Sequence, residues 1–278
     1  MKEYLYYDKD PVGSRFPNRT LMFGEGVFET FRYKQKLPVF FLSHLERLKE
    51  SSRYVGIKYP GDFYIETLIE NFVKEHKSNH FNNLIKDFII KVALFSSGDS
   101  AYFGKSNETL VCVSIKEEDV KPNSEISLTL AQTVRCSTNS IYSHKTLNYL
   151  SSVIERREAL KRNFDDALFI NEKNLVVETT AGNIFWIKGP NVFTPSLSNG
   201  PLKGITRGLI KEICLKNKIR FYEGDYEAGS ILFPEAIFVT NSAQGILEVI
   251  NLDNTTKPTR TQKIFPQIKE ELLKLLEW

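Results

Sequence analysis

Residues 24–57 read GEGVFETFRYKQKLPVFFLSHLERLKESSRYVGI, and the order of elements in this stretch decides the fold. The β-branched and aromatic residues up to Tyr33 predict a strand. A turn follows at Gln35 and Lys36, and then a second short strand. Ser43 stands where a helix N-cap belongs and Glu46 follows three residues later, the spacing of a capping box, so a hairpin feeds directly into a helix. Downstream, a second helix is expected over about residues 61–76. The alternating runs FIIKVALF (88–95) and TLVCVSI (109–115) predict two more strands. Strands and helices that follow one another without a regular βαβ rhythm give an α+β unit.

The charged segment KEEDVKPN (116–123) interrupts the apolar periodicity and carries Pro122, which marks it as a linker. It separates an N-terminal α+β domain, residues 1–118, from a C-terminal domain, residues 119–278. In the second part ISLTLAQTV, DALFIN, LVVETT, NIFWIKGPNVFTP and IFVTNSAQGILEVI read as strands. A helix follows Lys145, ITRGLIKEICLKN reads as another, and IFPQIKEELLKLL is amphipathic.

Composition excludes several classes of function. The 37 basic and 34 acidic residues nearly balance and form no basic block, so no nucleic-acid partner is expected. No apolar run reaches the roughly 20 residues of a membrane helix, and MKEYLYYDKD lacks a signal-peptide core, so a cytoplasmic protein without a membrane partner is expected. Three widely spaced cysteines, Cys112, Cys136 and Cys214, suit neither a disulfide framework nor a thiolate metal site, and each is expected as a small core residue. His76 and His80 in EHKSNH are four apart, but a polar surface stretch is the ordinary setting for such a pair, and no metal is expected.

Four stretches carry possible chemistry. Lys145 sits in SHKTLNYL, a segment with few charges at what reads as the mouth of a helix. A lysine that does chemistry must be neutral part of the time; taken alone, an exposed helix-start lysine is the more ordinary reading. In LKGITRGLIKEI (202–213) a glycine turn opens a helix at Ile205 and Thr206, where N–H groups, a hydroxyl and the helix dipole suit a phosphate. In VETTAGNIFW (177–186) Glu178 closes a strand beside a turn of small residues. VTNSAQG (239–245) is a strand end dissolving into small polar residues, a common place for ligands. A lysine, a carboxylate and two phosphate-friendly turns together match the needs of pyridoxal 5′-phosphate: an amine for its aldehyde, an acid for its ring nitrogen and a cradle for its phosphate.

Taken in order, FGEGVFETFR, HLERL, HKTLNYL, ETTAGNIFW, LKGITR and TNSAQG resemble the class IV aminotransferase-like enzymes, the fold-type IV family that works with pyridoxal 5′-phosphate. The similarity runs from about residue 20 to 250. The resemblance implies a small N-terminal α/β sandwich, a larger C-terminal β-barrel-like domain that binds the cofactor, and a homodimer acting on a small-molecule substrate. It implies that Lys145 forms the Schiff base and moves the substrate proton, and that Glu178 pairs with the pyridine nitrogen. Arg47, Ile205, Thr206, Asn241 and Ser242 would meet the phosphate, and Leu202 would pack on the ring.

The family includes branched-chain and D-amino acid aminotransferases and 4-amino-4-deoxychorismate lyases. FETFR, KTLNYL, NIFW and TNS are most similar to the lyases, in which the lysine and a threonine hydroxyl assist loss of pyruvate; Thr30 is the threonine that FETFR offers. An aminotransferase is the alternative, because FET occurs there too, and a silent binding protein that keeps the fold is a third reading, disfavoured by the presence of both Lys145 and Glu178. Many relatives carry an arginine in the segment equivalent to IIKVALFSSGDSAYFG (89–104). This chain has none there, which leaves Arg32 and Lys91 as candidates for the substrate carboxylate.

Overall fold

The computed structural model describes residues 2–9, 18–79, 87–99, 101–117, 125–231, 233–259 and 263–278. The chain forms two compact units: Met1–Val120 with His144–Asn148, and Lys121–Ser143 with Tyr149–Trp278. Most of the stretch expected as a linker, residues 118–123, lies outside the described residues.

The first unit runs β1 (Lys2–Tyr7), α1 (Asn18–Phe23), β2 (Gly26–Lys34), α2 (Phe41–Val55), α3 (Asp62–Asn79), β3 (Asp87–Gly98) and β4 (Ser106–Glu117). Its sheet is antiparallel in the order β1-β4-β3-β2. Because successive side chains of a strand face opposite sides, Val27, Phe31 and Tyr33 go into one core. They pack there with Phe41, Leu45 and Leu48 of α2 and Ile65, Ile69 and Val73 of α3. Phe28, Thr30 and Arg32 take the other face.

The second short strand expected between β2 and α2 does not form, and Ser43 is not the helix cap. The helix begins at Phe41 after Phe40, with no side-chain cap bond, and Ser43 lies exposed in the first turn. Starting one turn earlier buries Phe41 against Phe31, ring centroids 5.4 Å apart. That burial contributes about 1.5–3 kcal/mol, against roughly 1 kcal/mol for a serine cap. The helix stops where Gly56 adopts φ 81 and its N–H closes on Arg53 and Ser52 carbonyls.

His76, near the end of α3, is buried; its two ring nitrogens lie 3.0 Å from the Tyr6 hydroxyl and 3.0 Å from Glu117. It joins the helix to the sheet, while His80 lies outside the described residues.

The second unit comprises β5 (Glu125–Leu130), α4 (Leu150–Lys161), β6 (Asp166–Ile170), β7 (Val176–Thr179), β8 (Asn183–Lys188) and β9 (Asn191–Pro195). It continues with α5 (Ile205–Lys216), β10 (Arg220–Gly224), β11 (Ala236–Asn241), β12 (Gly245–Leu252) and α6 (Ile264–Leu276). Its eight strands follow the order β10-β9-β8-β11-β12-β5-β6-β7. The sheet curls: just beyond β10, Tyr226 accepts the Val176 N–H of β7 at 2.7 Å, and Glu227 bridges Leu175. The barrel-like expectation is met in this way. Ile184, Trp186, Ile237, Val239 and Val249 fill one face. On the other, Phe185 stacks on Phe238, which packs on Phe265 of α6 at 5.3 Å.

Cys112 and Cys214 are buried, and burial pushes their thiols up to about 11 and about 12. Cys136 is exposed and not a core residue. Among the described residues no helix is long and apolar enough to cross a membrane.

Candidate active site

In the first unit the site is built on the free edge of β2. Residues 145–147 pair with that edge through an isolated bridge: Phe28 N–H donates to the Lys145 carbonyl at 2.9 Å, Leu147 N–H to the Gly26 carbonyl at 2.8 Å, and Val27 bridges Thr146. Gly26 lets Leu147 pack close: a Cβ there would stand 2.3 Å from Leu147 Cδ1, and that side chain would have to shift. Lys145 is therefore not at the mouth of α4, which starts five residues later; it is held by sheet pairing and by its N–H on Ser51 Oγ at 3.2 Å. Its Nζ sits 4.4 Å above the centre of the Phe28 ring.

Thr30 is the single half-buried position between buried neighbours in β2, on the same face as Phe28. Lys91 is its direct partner across β3 and places its own Nζ 5.3 Å from the Phe28 ring centre. The structure thus brings Thr30, Lys91 and Lys145 to one face. Arg32 shares that face but is buried and ion-paired with Asp87, so its charge is already engaged.

Arg47 belongs to the helix side. Its Nε and one terminal nitrogen each donate to Glu29 at 2.7 Å, and His44 Nδ1 meets the same carboxylate at 2.7 Å. Glu29 is fully buried; burial would push its carboxyl up, but Arg47 and His44 bring it down to about 2. Burial pushes His44 below its ordinary value despite Glu29, so the imidazole is neutral and its Nδ1–H donates. An acid on the core-facing set Val27, Glu29, Phe31 and Tyr33 was the signal for this cluster, and sequence reasoning did not use it.

In the second unit Glu178 is the last residue but one of β7 and is buried. It forms an ion pair with Arg135 and accepts from Asn183 Nδ2 at 3.2 Å and from the Leu202 N–H at 3.1 Å. Asn183 also donates to the Leu202 carbonyl at 2.9 Å, which ties the 202–204 turn to the carboxylate. Arg135 lies 4.0 Å over the Phe169 ring and donates to Ser152. Sequence reasoning missed it, although it is the one charged residue between Glu125 and Lys145.

Gly204 precedes α5 in extended geometry, and a Cβ on it would stand 2.0 Å from Asn183 Oδ1. Beyond it, Ile205 and Thr206 open the helix with no acidic residue in the first turn. Thr206 Oγ1 lies 3.3 Å from Ser242 Oγ. Asn241 ends β11, and its Oδ1 accepts the Ala243 and Gln244 N–H groups at 3.1 and 2.8 Å. Thr240 Oγ1 beside it is buried without a protein partner.

This donor set fits the group that the motifs imply. A helix start leaves its first N–H groups without intrahelical acceptors, and here they stand with two hydroxyls and no acidic residue in the helix's own first turn, surroundings that suit an anion. Glu178, fixed from three directions, is a buried carboxylate that could accept a ring N–H. Pyridoxal 5′-phosphate, with one phosphate and one basic ring nitrogen, matches both.

A sequence model of the class IV amino-transferase family matches residues 26–252. The aminodeoxychorismate lyase of Bacillus subtilis is 29% identical over 250 residues, 87% of this chain and 81% of the relative. A protein assigned as a branched-chain-amino-acid aminotransferase from Methanocaldococcus jannaschii is 26% identical over 251 residues, 88% and 84% of the two chains. A crystal structure of a protein assigned as 4-amino-4-deoxychorismate lyase from Legionella pneumophila superimposes with a TM-score of 0.85 at 28% identity, covering 96% of this chain and 97% of that one. With fold and sequence in agreement over most of its length, the chain belongs to the class IV aminotransferases, fold-type IV enzymes that depend on pyridoxal 5′-phosphate.

Proposed function

We propose that this enzyme is a 4-amino-4-deoxychorismate lyase, which releases pyruvate and forms 4-aminobenzoate for folate synthesis. The observation that carries the reading is Thr30: a hydroxyl at the one half-buried position of β2, on the face where Lys145 lies over Phe28. The lyases among the relatives support it. The cytoplasm is the proposed compartment and a homodimer the proposed assembly, which light scattering tests.

Lys145 would hold the cofactor at its aldehyde carbon, Glu178 at the ring nitrogen, and Thr206, Asn241, Ser242 and the Ile205 N–H at the phosphate, with Arg47 contributing positive charge and Leu202 packing on the ring. Bound there, the cofactor supplies an electron sink next to the substrate's amino-bearing carbon. Lys145 takes the proton from that carbon. Thr30 gives or relays a proton to the ether oxygen of the departing enolpyruvyl group. The C–O bond breaks, the carbocycle becomes aromatic, and enolpyruvate tautomerises to pyruvate; no oxidant or water is consumed. Lys91, opposite Thr30, supplies a cation for a substrate carboxylate in place of the absent arginine.

Transamination has no leaving oxygen to protonate, so Thr30 separates the two readings. Thr30→Val, nearly equal in volume, is expected to keep the cofactor's visible spectrum and to lower pyruvate release from aminodeoxychorismate by at least about tenfold. Unchanged release would make Thr30 a strand filler. Ready transamination of leucine or D-alanine with 2-oxoglutarate, without any 4-aminobenzoate from aminodeoxychorismate, would establish the aminotransferase that the Methanocaldococcus relative suggests.

A further inference from the structure

Trp278 lies outside every motif considered so far, yet it touches one of them. A Cβ on Gly245 would stand 2.6 Å from Trp278 Cζ3, 3.3 Å from Cε3 and 3.5 Å from Cη2, so the Cζ3 edge of the indole six-membered ring abuts the backbone at Gly245. That glycine closes the Asn241–Gly245 turn, pairing with Asn241 in the first register step of β11 and β12. Its φ of +75 is a conformation side chains rarely take, so glycine serves here both the turn and the close approach of the ring.

The ring is not placed by a loose end. Helix α6 stops in a two-bond closure: Glu277 turns left-handed at φ 56, its N–H reaches Lys274, and the Trp278 N–H reaches Leu273 at 3.0 Å. This is the Schellman arrangement, which sets the direction of the residue after the left-handed one. The helix itself is anchored by buried Phe265, Ile268 and Leu272, with Phe265 on Phe238 of β11. Strand, helix and indole therefore form a closed circuit of packing around the turn. From within, Asn241 Oδ1 holds the turn through two N–H groups; from outside, Trp278 backs it.

We infer that Trp278 is a positioning residue for phosphate binding: it holds the 241–245 turn so that Asn241 and Ser242 present their polar groups together with Thr206. The inference rests on the assignment of the phosphate to that turn, and its test separates the two. Apoenzyme of the wild type, Trp278→Ala and Trp278→Phe is titrated with pyridoxal 5′-phosphate and, in parallel, with pyridoxal, which has the same ring and aldehyde but no phosphate. Loss of a supporting residue typically costs about tenfold or more in affinity for the group it orients.

The expected result is a loss of about tenfold for the phosphate ester in Trp278→Ala, with pyridoxal changed by less than about twofold and the Phe variant recovering most of the loss. A purely structural role would weaken both ligands alike, and that result, or an unchanged affinity for the ester, overturns the inference. A wild type that binds pyridoxal as tightly as its phosphate ester overturns the phosphate assignment and the inference with it. If the Ala variant does not fold, Trp278→Leu, which keeps apolar bulk but is too short to bring a ring edge to Gly245, carries the same comparison.

Discussion

The two units hold their functional groups by different means. In the first, ion pairs do most of the holding: Glu29 is fixed by the Arg47 charge and a hydrogen bond from neutral His44, and Arg32 by Asp87. The lysine face is a strand surface carrying Phe28, Thr30 and Lys91. In the second, apart from the Arg135–Glu178 pair, the polar groups are held by backbone at chain turns: the Leu202 N–H on Glu178, the start of α5, and the Asn241–Gly245 turn. The difference teaches that the first unit supplies the lysine and hydroxyl proposed to move protons, while the second supplies, beside the Glu178 carboxylate, backbone and hydroxyl donors whose strength does not change with pH. Substitutions and acid should therefore separate them.

The largest expected effect is on the proton-moving side. Lys145→Ala removes the only lysine assigned to the cofactor aldehyde, so activity should vanish and borohydride should trap no cofactor on the protein. Lys203, next to the phosphate turn, is the competitor; an adduct trapped there in the Ala variant would break the division of roles between the units.

On the fixed-donor side, Glu178→Gln should keep the cofactor while lowering turnover by about two to three orders of magnitude, since an amide cannot hold the ring nitrogen protonated. It also leaves the buried Arg135 without its anion, which costs on the order of 3–5 kcal/mol. Turnover at saturating cofactor and amide exchange in β7 and β8 report the two effects apart. Wild-type turnover with a normal spectrum would place Glu178 outside the chemistry.

How much of this was legible in the sequence depended on how far each cause lies along the chain. Strand alternation in 26–34 and 88–95 and the glycine before Ile205 are local signals, and the elements stand where they predict. The role of 144–148 is not local: a five-residue run that pairs with a sheet edge over a hundred residues away has no periodicity of its own. β1, α1 and β10 went unread for the same reason, since Lys2–Tyr7 is a strand only because β4 accepts it. Ser43 misled because burial of Phe41 outweighs a cap. Arg135 was readable, as a lone charge in a polar and apolar stretch, but only its partner Glu178 shows what it does.

The pH response sharpens the comparison with the smallest, though opposite-signed, effects. In the first unit, Glu29 titrates near 2 in the folded protein against an ordinary 4.5. Its contribution, on the order of a few kcal/mol, is present above the ordinary value and is lost as pH falls through about 2. His44, facing Glu29, Arg47 and Lys145, is held below its ordinary 6.5 by burial; the unfolded chain takes up that proton first, so stability begins to fall as pH drops through about 6.5. Both groups make this unit acid-labile. Asp166 in the second unit is pushed up by burial from 3.8. Folded, it holds its proton where the unfolded chain has released it, so its effect on stability improves as pH falls through its raised value. Amide exchange at about pH 7.5, 5.5 and 4 should therefore show α2 and β2 losing protection before β8 and β11. Both tryptophans, Trp186 and Trp278, lie in the second unit, so indole emission should lag behind exchange in α2. Glu29→Gln should flatten the lower part of the curve and leave the His44 part in place. Equal or earlier loss of protection in β8 and β11 would show that acid sensitivity belongs to the second unit, and that the cluster around Glu29 does not set it.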